Sequence, residues 1–412
     1  MLTKFFSNFN KLPLSNKSMV YLMWIYGVGE LITGIFINIY VFKLYNSFEN
    51  ILIYNMIFFT ATFIGFSGLG LLMSVFKKDI KNMYYISYIL FILSFLELFV
   101  FKGTLFGVYL FSGIFGLGNG IFRCGVHTQE LKNILNKNRD FFSSSISAGE
   151  NIISILTPLF TAFIFGIAKI YNFDGYLILF LFLPLIYLIS FIFIKNIDSY
   201  IPNKISKEDF TNFFNLRKYK YGHLYFLFGG FKLAVTTVII SAVSITLLKS
   251  EINIGLFQAI LALISTFLVI HLSHKREENN RLKYYFIFCF LLFLVYLLFG
   301  IFFSLINFII FSLILIFLKP LFRVSSHVYD LSLMDSIKAG NNDFYPAMLL
   351  REAVLWIGRI GSLLILLFIF KNMNLTLELN LKIGLVISGI VFIFLYWSIY
   401  FWEKKEKNNS GF

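Results

Sequence analysis

Arg123, His127 and Glu130 recur as Arg323, His327 and Asp330 at identical spacing, two hundred residues further on, in a chain that holds only five histidines. Glu30 is matched by Lys232, and Glu150 by Glu352, at a slightly longer offset. All of them stand in or beside long apolar runs. Charge inside hydrocarbon is costly, so such groups face protein or water and mark substrate paths, proton relays or ion pairs. A duplicated set implies two related helix bundles around a shared polar interior.

Each group has chemistry it can do. At about 1.5 Å per residue, Glu30 lies about 18 Å along the first apolar run and Lys232 about 17 Å along the seventh, both near mid-membrane. Lys232 would attract an anionic group, and Glu30 would accept a proton or an amine. Asn38 and Thr236 share helix faces with them, which makes Glu30, Lys232, Asn38 and Thr236 the expected substrate-binding set. A permanent ion pair of Glu30 with Lys232 is the static alternative, because breaking it would strand a buried charge.

The fifth run carries Ser143, Ser147, Glu150, Ser154, Thr157 and Thr161 at helical spacing, a polar stripe that must face protein or water. A carboxyl remote from arginine is the easier one to protonate, so Glu150 is the expected proton carrier ahead of Glu352, which has Arg351 and Arg359 beside it. Glu30 is a third proton-coupling candidate. Arg123, His127, Glu130 and Arg139 in one half, with Arg323, His327 and Asp330 in the other, lie near the cytoplasmic ends of their runs. There, with Asp140 and Asp343, they are expected to gate by making and breaking ion pairs. A metal or proton-relay site would need ligands of both halves to converge. No metal and no cofactor is expected, and no glycine loop followed by Lys and Ser or Thr supports ATP-driven transport.

The elements that position these groups follow from composition. Of 412 residues 58% are hydrophobic and 14% charged, which no soluble domain tolerates on its surface. About twelve runs are long enough to span roughly 30 Å of hydrocarbon. They cover 18–43, 51–75, 83–101, 104–126, 141–167, 175–195, 221–247, 252–272, 283–303, 304–330, 344–370 and 381–402. Lys and Arg gather on the side that holds both termini, about 23 against about 6, which orients both ends toward the cytoplasm of a cell (inner) membrane. The net charge of +14 is scattered over short loops, so orientation explains it better than a nucleic-acid partner. Cys124 and Cys289 lie in or beside apolar runs, which argues against disulfides.

The polar interval 196–220 separates six runs from six, dividing the chain into bundles at 1–195 and 221–412 around a linker. With twelve spans, a six-plus-six division, a basic central loop and internal duplication, the chain resembles the major facilitator superfamily of transporters. The second-span loop keeps Lys77, Lys78 and Lys81 of that family's basic motif, but Ser74 stands near its acidic position. The fifth span has Pro158 without the glycines typical of drug/proton antiporters. The resemblance implies an all-α membrane protein whose first, fourth, seventh and tenth helices line a path. The expected function is proton-coupled alternating-access transport of a small polar or anionic organic solute by a monomer, with that solute, a proton and the bilayer as partners. Proton-driven efflux of amphipathic compounds is the second reading. A polytopic transferase using His127 or His327, and a ligand-binding receptor without turnover, are remoter ones.

Overall fold

A computed structural model describes residues 9, 12–133, 136–202, 205, 207–272, 281–338, 344–372 and 376–409. Among them are no strands and twelve helices long and apolar enough to cross a bilayer. These are α1 (Leu14–Tyr45), α2 (Phe48–Val75), α3 (Lys81–Val100), α4 (Leu105–Asn133), α5 (Asn136–Ile170) and α6 (Gly175–Ile194), then α7 (Leu216–Leu248), α8 (Glu251–Leu272), α9 (Arg281–Ile301), α10 (Leu305–Lys338), α11 (Phe344–Asn372) and α12 (Leu377–Asn409). The chain is an all-α, multi-pass membrane protein. Helices α4, α5 and α10 outrun their apolar stretches, because backbone hydrogen bonding continues into polar turns that hydrophobicity alone would exclude.

The chain clusters into two compact units. One comprises Met1–Leu44, Ile57–Ile205 and Glu251–Ala259; the other comprises Tyr45–Met56, Ser206–Ser250 and Ile260–Phe412. Aromatic rings fill the first unit around α1, α3, α4 and α6, with Tyr26 stacked on Phe122 at 4.4 Å and Phe91 tilted against Phe115 at 4.9 Å between centroids. In the second unit Phe299 meets Phe311 at 4.6 Å and Tyr296 meets Phe311 edge-on at 5.0 Å. The abundant Phe and Tyr thus serve as packing, and the buried Tyr88 hydroxyl donates to the Leu22 carbonyl at 2.7 Å.

Tight turns stop several helices. Asn46, Lys77, Asn172 and Lys249, each just past a helix end, take the left-handed conformation that closes it. Asp79 opens α3 by accepting from the Lys81 N–H at 2.9 Å, from the Tyr200 N–H at 3.0 Å and from the Ser199 hydroxyl. Partial burial pushes its carboxyl up, but these donors outweigh that and hold it below the usual carboxylate value.

Two irregularities bear on function. α1 passes through a π-helical stretch at Ile32–Ile37, directly after Glu30, and α2 through another at Ile64–Gly68. Such stretches commonly mark functional positions. The second lies where α2 and α4 touch backbone to backbone: a Cβ on Gly116 would meet the Phe58 carbonyl, and one on Gly120 the Thr62 carbonyl and the Phe66 nitrogen. Small residues permit that approach. Gly120→Val should therefore cost about 1–3 kcal/mol in overpacking, read as a lower thermal unfolding midpoint in detergent. Gly166→Ala, where a Cβ meets nothing within 4 Å, should leave the midpoint unchanged.

Candidate functional site

In the first unit Glu30, Arg123, Asn119, Tyr26 and Thr62 form a connected network across α1, α2 and α4. Arg123 of α4 is salt-bridged to Glu30 of α1. Asn119, one turn earlier on α4, accepts from Arg123 Nε at 3.1 Å and from the Tyr26 hydroxyl at 2.6 Å, and donates to Thr62 Oγ1 at 3.2 Å. The guanidinium also lies over the Tyr26 ring, 5.6 Å from its centroid. Arg123 is thus held by a carboxylate, an amide and a ring, while 42% of its side chain and 48% of that of Glu30 stay accessible. His127 Nδ1 sits 3.3 Å from Glu130 on the next turn.

The second unit answers this with a different charge balance. Lys232 of α7 places its ammonium 4.8 Å from the centroid of the Phe322 ring on α10. Among the described residues that ammonium makes no hydrogen bond or salt bridge. Arg323, adjacent to Phe322, and Lys319, three residues before it, lie within electrostatic reach of Lys232. Asp330 is the nearby carboxylate, with Arg351, Lys232 and His327 acting on it and the Tyr225 hydroxyl beside it. Lys319, Arg323 and His327 are all exposed on α10. At intervals of four they form one face, and a charged face of three turns cannot be turned to hydrocarbon.

The remaining candidates fall into distinct settings. Glu352 is buried and bonded to Arg359 Nη1 at 2.5 Å, with 6% and 9% of the two side chains accessible, so α11 carries a closed ion pair. Glu150 is half-buried on α5, where neighbouring residues pack on α1: Gly149 against Trp24, and Ile153 against Gly27. On the same stripe Thr161 donates to the Thr157 carbonyl, and Ser154 to that of Asn151, both at 2.8 Å. Asn38 is buried and donates to the Gly34 carbonyl at 2.9 Å. Thr236 donates to the Lys232 carbonyl at 2.8 Å. The side chains of Arg139, Asp140, Ser143 and Asp343 lie outside the described residues. Among the described residues no group of three or more His, Cys, Asp or Glu side chains is placed to hold a metal ion.

Within its unit Glu30 has its salt bridge to Arg123, a partner that the sequence pattern does not single out. Position along the chain gives depth, but helix rotation and neighbour decide partners. Sequence reasoning also passed over Asn119 and Lys319, which extend the repeat by one turn: 119, 123, 127 and 130 in one half, 319, 323, 327 and 330 in the other. The register was visible. Asn119 was missed because the pattern was sought among charges, and an amide carries none.

A further polar cluster joins α1, α6 and the first turn of α8. Lys43 Nζ lies 2.6 Å from Glu251 Oε2, and the Tyr176 hydroxyl donates to Glu251 Oε1 at 2.9 Å.

No family model matches the chain, and no curated protein does. Solved structures do match it over nearly its whole length. A POT family transporter in complex with a thioalcohol-conjugated peptide superposes with a TM-score of 0.70 at 12% identity, covering 96% of this chain and 99% of that one. The nucleoside transporter NupG gives 0.65 at 12%, covering 94% and 98%. The human organic anion transporter MFSD10 gives 0.62 at 11%, covering 93% and 98%. The fold is that of these transporters.

Because Glu30 and Arg123 neutralise each other, removing one strands its partner and removing both does not. In a double-mutant cycle, Glu30→Gln with Arg123→Gln should lose less stability than the two single losses combined. The coupling should fall at the low end of about 0.5–3 kcal/mol, since both groups are partly accessible. Strict additivity of the unfolding midpoints would show the pair to be uncoupled.

Proposed function

We propose that the chain is a proton-coupled secondary transporter that moves a small polar or anionic organic solute across the cell membrane by alternating access. The observation that carries this reading is the charge imbalance of the second unit, where Lys232 has Lys319 and Arg323 as like-charged neighbours and shares the Asp330 carboxylate with Arg351. Stranded cations deep in a membrane protein are retained when a ligand of opposite charge completes them. The fold, shared with secondary transporters of peptides, nucleosides and organic anions, supports the same reading and favours transport over catalysis.

Coupling falls to carboxyls that can change partner. Glu30 is accessible and held by Arg123, so protonation would release the arginine to a substrate or to the π-helical segment beside it. Glu150, half-buried on a hydroxyl-rich stripe, is the second carrier. Glu352, sealed against Arg359, acts as a brace. His127 with Glu130, and His327 with Asp330, serve as gating pairs at the inner ends of α4 and α10. Residues 1–195 and 221–412 act as the two bundles of one monomer, with both termini cytoplasmic.

Glu150→Gln should lower proton-driven uptake in vesicles about tenfold or more while leaving substrate exchange nearly intact, because exchange needs binding and movement but no net proton transfer. Equal retention of both rates would remove Glu150 as the coupling residue.

A further inference from the structure

We infer that Lys232, Lys319 and Arg323 form a binding site for a compact dianionic head group, and that the cargo is a soluble phosphate monoester. The inference deepens the transport reading and rests on it. Comparing the two halves position by position shows where the site comes from. At the α1/α7 position the first unit has Glu30 and the second Lys232; at the first position of the α4/α10 repeat the first unit has Asn119 and the second Lys319. Arginine follows in both.

The consequence is a reversal of balance on the same scaffold. In the first unit the arginine is satisfied by Glu30 and Asn119. In the second, both satisfying groups are replaced by lysine, so Arg323 has two like charges as neighbours. Phe322 fixes the geometry: the Lys232 ammonium lies over its ring, and Lys319 and Arg323 flank it within a single helical turn. Among the described residues none of the three cations makes a salt bridge. Asp330, two turns below Arg323, has Arg351 acting on it and so offers only part of the missing charge.

Three long cationic side chains around one turn can converge on one head group. Arginine supplies a planar fork for two oxygens, and lysines supply point charges for the remainder. A monocarboxylate would leave positive charge unanswered, and a dicarboxylate spreads its charge over several ångströms. Lys319 lies about 21 Å along α10 from its start and about 17 Å from residue 330, where the apolar run ends, which puts it near the middle of the span, away from the lipid phosphates of either face.

The test is calorimetric titration of the purified full-length protein, at constant ionic strength, with glycerol 3-phosphate, inorganic phosphate, succinate and acetate. The phosphate monoester should bind at least about tenfold more tightly than acetate or succinate, and Lys319→Met should weaken it about tenfold or more. Lys319→Arg should retain binding. Lys319→Met should also raise the unfolding midpoint of the ligand-free protein, since it removes an uncompensated cation; a merely structural lysine would lower it. Acetate or succinate binding as tightly as the phosphate monoester, or unchanged affinity in Lys319→Met, overturns the assignment. Vesicle counterflow separates the two readings. Flux of an unphosphorylated solute by a protein that binds no phosphate monoester overturns this site and leaves transport standing. Phosphate-monoester binding without flux supports the site and counts against transport.

Discussion

A charge placed in a low-dielectric interior must be matched by an opposite charge, by hydrogen bonds, or by water, and the repeated charged groups of the two units are set apart by which of these each has. Arg359 and Glu352 use the first in a sealed form. Arg123 uses the first and second together, with Glu30 and Asn119 as partners. Among the described residues Lys232, Lys319 and Arg323 make no salt bridge, which leaves water as the third. Where helix faces can turn is thereby decided: α4 and α10 must each keep these residues out of lipid, and can give only their apolar faces to it.

Glycine and aromatic packing make that arrangement possible. Close approach of α2 and α4 through Gly116 and Gly120 brings Thr62 within reach of Asn119, so a backbone contact sets a side-chain network. Tyr26, over which the Arg123 guanidinium lies, is itself packed on Phe122 and Phe91, so the aromatic core backs the network. In the second unit Phe322 does a related task, offering its face to Lys232. Such a ring stabilises an ammonium only modestly and leaves its hydrogen bonds unmade. A cation held that way keeps its hydrogen-bonding capacity.

Much of this was legible in the sequence, because long apolar runs and rare intramembrane charges are strong signals. Twelve spanning helices and the duplicated Arg, His and acidic pattern could be read directly. The partner of Glu30 could not, since Arg123 is 93 residues away and only the packing of α1 on α4 brings them together. Nor could the π-helical stretches, which depend on one extra residue per turn being accommodated by neighbours. Asn38 and Thr236, chosen for lying on the right helix faces, direct their polar groups to carbonyls of their own helices. Spacing selects a face, while local hydrogen bonding, which spacing does not show, takes up part of each side chain's capacity. Lys319 was readable by register alone, and only its contrast with Asn119 gave it meaning.

The claim beneath all of this is that the charged face of α10 is wet within the membrane. Cys124 and Cys289 are both buried, which gives a quiet background for cysteine labelling. Single cysteines at Arg323, His327 and Phe317 can be exposed, in sealed vesicles and in detergent, to a charged, membrane-impermeant thiol reagent. Aqueous lining predicts rapid modification at 323 and 327 and protection at 317, an exposed apolar position on the same helix. Positions 323 and 327 that react as slowly as 317 would contradict the account.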